Sequence, residues 1–165
     1  MPATNGLLSV RSQGFGMIKQ NLEKLIRKKL MPPLKQAILD SAEEICFIAT
    51  EMAPRDTGTL ESAIEVKQNK HDYQWRRQAE VWVRPSVYNS KAHTRVGTYA
   101  DDVEENVTPA GSKKLGPGSV EKNGMIPDYD GVGVGGGYMS RAVKYAEPFI
   151  RTRLNKAIQD ALLNL

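Results

Sequence analysis

The chain is poor in the residues that carry most protein chemistry. Among 165 residues it has one cysteine, Cys46, and two histidines, His71 and His93. A single cysteine excludes an intrachain disulfide, and its place in an apolar helical pattern marks it as a small packed thiol rather than a reactive one. Two histidines in loop sequence, with no cysteine ligands and no second histidine three or four positions on, exclude the usual zinc arrangements. There is no Gly-x-Ser-x-Gly elbow and no Cys–His pair that periodicity brings together, so nucleophilic catalysis lacks its parts. No run approaches the roughly 18 consecutive apolar residues of a membrane span. Residues 1–10 have neither the basic region nor the apolar centre of a signal peptide. These absences predict a protein that is not an enzyme, uses no cofactor or metal and no membrane, and is soluble and intracellular.

What the chain does have is charge and glycine. Its 23 basic residues exceed its 19 acidic ones by a net +4, a modest excess that permits an anionic partner without dictating one. The 14 glycines and 9 prolines predict extensive loops, while a hydrophobic content of 40% suffices for one packed core. Residues 1–165 therefore read as a single domain. Its parts are an N-terminal arm and basic helix over 1–31, a core helix and strands over 32–106, a Gly/Pro-rich loop or arm over 107–137, and a last strand with a C-terminal helix over 138–165.

Periodicity supplies the elements. Ile18, Leu22, Leu25, Ile26 and Leu30 recur at helical spacing among Lys19, Lys24, Arg27, Lys28 and Lys29, which predicts a basic amphipathic helix whose charges are solvated or meet DNA. Pro32-Pro33 is expected to end it and start the next helix, over 33–52, with Ile38, Ala42, Ile45, Ala49 and Met52 on a broad core face. Pro54 stops that helix, Asp56 or Thr59 caps a short turn, and Gly58 permits a positive φ. Ile64 and Val66, then Val81 and Val83, alternate with polar residues and predict an antiparallel hairpin. The connection over 69–78 holds Tyr73, Trp75, Arg76 and Arg77, and reads equally as a partly packed tip or a contact surface.

Asp101, Asp102, Glu104 and Glu105 form an acidic cluster, read as a solvated or interface face in preference to a hard-cation site, because a calcium loop's remaining ligands are missing. The run Gly131-Val132-Gly133-Val134-Gly135-Gly136-Gly137 invites a phosphate-loop reading. It is rejected because no buried strand is expected before it, no helix directly after it, and no Gly-Lys-Ser/Thr is present. The segment reads instead as an extended arm that pairs with a neighbouring subunit. Residues 138–146 are expected to form the last strand, and Pro148 to open a helix with Ile150, Leu154, Ala157, Ile158 and Ala161 on one face. The sum is a small α+β fold, an antiparallel sheet of about three to four strands packed on a long central helix and a C-terminal helix, with an N-terminal helical arm and a long irregular loop.

Three segments, in this order, carry a family resemblance. They are the helix end Ala53-Pro54 followed by Thr57-Gly58-Thr59-Leu60 and Ser62, then Tyr99-Ala100-Asp101-Asp102-Val103-Glu104, then Pro148-Phe149-Ile150-Arg151. Over residues 34–165 the chain resembles the phage HK97 gp10-like family of neck and tail-completion (head–tail joining) proteins, although Glu105-Asn106 stands where that family has a glycine. The resemblance implies motif roles for Pro54, Thr57, Gly58, Leu60, Tyr99, Glu104, Pro148 and Phe149. It also implies a structural ring of about six or twelve identical subunits, other neck and tail proteins as partners, and a place in the virion reached from the host cytoplasm. Candidate intersubunit or DNA-facing contacts are Lys24, Arg27, Lys28, Lys29, Tyr73, Trp75, Arg76 and Arg77. The competing expectation is a non-catalytic nucleic-acid-binding module that uses the basic helix and the hairpin tip.

Overall fold

Tandem proline sets the course of the N-terminal half. In a computed structural model that describes residues 13–55, 58–68, 78–106, 115–127, 129 and 133–163, helix α1 (Gln13–Leu25) runs through a π-helical turn (Ile26–Leu30) into α2 (Met31–Met52) without a break. Pro32 and Pro33 bring no N–H, so the carbonyls four residues earlier lose their helical donors. The chain accommodates this by widening one turn: the Met31 N–H donates to the Ile26 carbonyl, five residues back. The expected end of the basic helix at Pro32-Pro33 is thus corrected. Both prolines lie at the start of α2, directly after the π-helical turn, and one rod about 60 Å long results.

Helix α6 (Tyr138–Leu163) packs antiparallel on α2. Gly135 donates to the Met52 carbonyl at one end, and Arg153 pairs with Glu44 at 2.6 Å further along. Ala49, Ala53, Ala142 and Ala146 are wholly buried, and side chains this small let the two helices approach closely. Here the expected strand over 138–146 is overturned, and Pro148 does not open a helix but lies inside one. Tyr138, Ala142, Ala146 and Ile150 keep helical spacing across the proline and face the core. Pro148 itself is exposed, so water can reach the Lys144 carbonyl that it leaves unpaired. A penalty of about 3 kcal/mol for an interior proline is offset by burial on both sides of it.

Between the two long helices the chain builds its strands. Gly58, at φ 75°, leads into α3 (Thr59–Ala63), and β1 (Ile64–Gln68) then pairs antiparallel with β2 (Ala79–Val83), Val66 opposite Val81. Val81 and Val83 pack on the core, while Trp82 on the other face lies under the Lys67 ammonium at 4.7 Å. The expected hairpin and the α+β class are present. The strands do not form one sheet, however: β3 (Tyr88–Asn89) and β4 (Thr94–Arg95) make a separate pair. Their turn is closed by the Asn89 side chain, whose Oδ1 accepts from the backbone of Lys91 and Ala92 at 3.1 and 3.0 Å. The acidic segment forms α4 (Ala100–Asn106).

The irregular loop is also corrected where it is described. Helix α5 (Pro117–Asn123) occupies part of it, and Tyr129 and Val134 are buried at 6% and 1% exposure. These residues belong to the core of their own chain, so the described part of the segment is packing rather than a free arm. The readings of Thr57 and of Tyr73, Trp75, Arg76 and Arg77 lie outside the described residues.

Gly58→Ala tests the backbone directly. An added Cβ would meet nothing nearer than Glu61 Oε2 at 3.5 Å, so the left-handed φ alone sets the penalty, about 1–2 kcal/mol. Denaturant unfolding of this variant should show a lowered midpoint at unchanged slope.

Candidate interaction site

The polar groups of the fold divide into those that fasten it and those that face outward. The strongest fastener is Lys122 on α5, a lysine only 4% exposed. Its ammonium pairs with Glu61 and donates to the Thr50 and Ala53 carbonyls at 2.5 and 2.9 Å. Those carbonyls form the negative end of α2, where a cation is favoured both by the helix dipole and by their lack of helical donors. Beside it, Ser119 Oγ accepts the Arg55 N–H at 2.8 Å and donates to the Arg55 carbonyl at 2.9 Å. Gly118 lies so close that a Cβ there would sit 2.9 Å from the Arg55 oxygen. Helix α5 therefore clasps the turn that carries Pro54, Gly58 and Leu60. Neither Ser119 nor Lys122 announces this in the sequence, because their partners lie far away along the chain.

A second fastener is Glu104. Its carboxylate accepts from the Met139 and Ser140 N–H groups, each at 3.1 Å, and from Ser140 Oγ at 2.6 Å. It caps the N-terminus of α6, the position a phosphate would take after a glycine-rich loop. A helix does begin directly after the glycine run, contrary to expectation, but its anion site is filled from within the chain. The glycines are engaged as well: Gly137 donates to the Glu104 carbonyl at 2.7 Å and Val134 to Asn123 Oδ1 at 2.8 Å. Arg141 donates to the Gly133 carbonyl at 2.9 Å. Burial pulls its guanidinium below the usual value while Glu104 opposes the shift. Burial, then the carboxylates of Glu104 and Asp101, pushes the Tyr138 phenol up.

The other described residues of the three sequence segments differ in burial, Pro148 and Phe149 being exposed. Leu60 is buried, Tyr99 is half-buried with its hydroxyl 3.4 Å from Asn89 Nδ2, and Phe149 tilts against the Tyr145 ring at 5.7 Å. His93 is exposed in a turn, and no group of three metal-ligating side chains occurs among the described residues. The acidic cluster is split: Glu104 turns inward while Asp101, Asp102 and Glu105 are exposed on α4.

Among the described residues, two outward features bear on partners. Along α1 and the π-helical turn, Lys19, Lys24, Arg27, Lys28 and Lys29 are exposed together with an apolar stripe, Met17, Ile18 and Leu22 at 68%, 63% and 54%. Between α2, β2 and α6 lies an open cleft of about 360 Å³, lined by Ile38, Ile45, Val81, Val143, Ile150 and other apolar groups. Ile38 and Ile45 belong to the helical face expected to be core, but the two-stranded hairpin covers only part of it. Among the described residues no helix is long and apolar enough to cross a membrane. Comparison with known protein families, curated proteins and solved structures found no match.

Two measurements check the fasteners. Lys122→Met leaves Glu61 held by Arg55 alone, and a broken buried pair of this kind should lower unfolding stability by about 3 kcal/mol, read from chemical denaturation. For Tyr138 the fold favours the protonated phenol, so its contribution is complete below the ordinary tyrosine value of about 10 and declines as pH rises beyond it. Tyr138→Phe should flatten that alkaline decline in melting temperature; an unchanged slope would assign it to other groups.

Proposed function

We propose that this chain is a structural subunit of the neck of a tailed bacteriophage, one that forms an oligomeric ring to complete the tail or join head to tail around the DNA passage. The observation that carries this reading is the contrast between inside and outside. The Lys122, Glu104 and Ser119 clusters hold the fold's own joints together, whereas the outward face offers an apolar and basic helix and an apolar cleft. Assembly surfaces have that character; reaction centres need convergent, accessible polar groups. The other ground for the reading is the resemblance of three segments of the sequence to the HK97 gp10-like family, of which Gly58, Leu60, Tyr99 and Glu104 pack or bond within the fold.

A quantitative mass-spectrometric count of this chain in purified particles of its source phage tests the reading. About six or twelve copies per particle are expected for a closed ring, and absence from the particle would overturn it.

The exposed Lys19, Lys24, Lys28 and Lys29 on one rod favour a second reading, a nucleic-acid-binding module. That reading requires duplex or single-stranded DNA to bind with an affinity that falls steeply with salt, a log–log slope of about 0.7 to 0.9 per neutralised phosphate. Binding that is flat in salt, or absent, would remove it.

A further inference from the structure

We propose that the exposed stripe of α1 in one copy docks into the α2–β2–α6 cleft of the next copy, a contact that deepens the ring reading and rests on it. Ile18, Leu22 and Leu25 stand at i, i+4 and i+7, the spacing of anchors by which an amphipathic helix fills an apolar groove. The stripe from Met17 to Leu25 is about 12 Å long, and the α6 wall of the cleft from Met139 to Leu154 about 22 Å, at 1.5 Å per helical residue. The stripe therefore fits within the cleft.

The occupant is a second copy for two reasons. Helix α1 is continuous with α2 through the π-helical turn, so within one chain it extends along the axis of α2 and does not fold back on the α2–α6 face. Pairing α1 with α1 is disfavoured by charge. Residues 13–30 contain Lys19, Lys24, Arg27, Lys28 and Lys29 against the single acid Glu23, and two such helices side by side would repel. At its Met139 end stand the carboxylates of Glu104, which caps α6, and of Asp101 and Glu105, exposed on α4, alongside the cationic Arg141 and Lys144 of α6. A basic apolar helix meets an apolar groove with carboxylates near one end. Because the two surfaces differ, each copy can give its helix to one neighbour and its cleft to another, the head-to-tail arrangement that the ring reading requires.

Complementary variants of the full chain separate this contact from others. Leu22 and Val143 are 54% and 49% exposed, so Leu22→Glu on the helix and Val143→Lys in the cleft should leave the fold intact, as circular dichroism would verify. In sedimentation velocity the unaltered chain should assemble, and each variant alone should run as a single chain of 18.3 kDa. An equimolar mixture should then form a dimer and nothing larger, because the intact helix of the Val143→Lys chain meets the intact cleft of the Leu22→Glu chain. A monomeric unaltered chain, assembly by either variant alone, or a mixture that stays monomeric would overturn the proposal. Pairing of α1 with α1 predicts assembly by Val143→Lys alone, and a face reserved for DNA or lipid predicts a monomeric unaltered chain. The outcome is separable from the neck reading: the mixture can dimerise although particles lack the chain, and particles can hold a ring's worth of copies although both variants assemble.

Discussion

The unpaired carbonyls at the C-terminus of α2 are the constraint on which the rest of the structure depends. A helix end buried without donors is costly, and this one lies in the centre of the fold, with Met52 and Ala53 at 1% and 0% exposure. Its donors come from a distant part of the chain. Lys122 takes the Thr50 carbonyl across 72 residues of sequence, and Gly135 takes that of Met52. To bring both donors there, α5 and the residues around Gly135 must lie against the end of α2. That placement starts α6 beside the end of α2, from which it can only run back antiparallel along the alanine-lined face. Glu104 then fixes the first turn of α6.

The same constraint explains how the molecule distributes its polar residues. Buried lysines are rare unless paired, and Lys122 is paired with a carboxylate and two carbonyls at once. Glu104, Ser119 and Asn123 are likewise bound to backbone. Glu104, Ser119, Lys122 and Asn123, which in isolation look suited to binding an ion, are engaged by the chain itself, while Arg141 keeps Nε and Nη2 buried without a partner beside the strip 133–137. Among the described residues, the exposed α1 stripe and the α2–β2–α6 cleft are apolar, and the stripe has a basic margin.

Much of this was legible in the sequence, and the failures have physical causes. The 33–52 helix, the hairpin with Val81 and Val83 inward, the left-handed Gly58 and the packing of the last helix on α2 all follow from local period and residue type. Periodicity did not show where α6 begins, since Pro148 is locally a helix-start signal and only burial on both sides outweighs it. Nor did it show that Pro32-Pro33 would be absorbed by a π-helical turn, because the extra residue in a turn leaves no mark on composition. Lys122 was invisible because its partners are set by tertiary placement. Ile38 and Ile45 were correctly put on an apolar face, but a face says nothing about whether anything covers it, and the cleft is the part left uncovered.

In the proposed ring the π-helical turn has a consequence for the contact between subunits. A flexible N-terminal arm would lose conformational freedom on docking, roughly 1–2 kcal/mol per ordered backbone residue, and would let neighbouring subunits meet at variable angles. A helix joined rigidly to α2 loses far less, since it is already in its bound form. It also holds a constant angle between the stripe on one subunit and the cleft on the same subunit. Closed symmetry depends on that angle: each copy must turn the next by an equal fraction of a circle, or the chain of contacts becomes a filament. Tandem proline, which would ordinarily separate two helices, here leaves α1 along the axis of α2, and in the proposed ring that direction sets how one subunit reaches the next and so the number of copies.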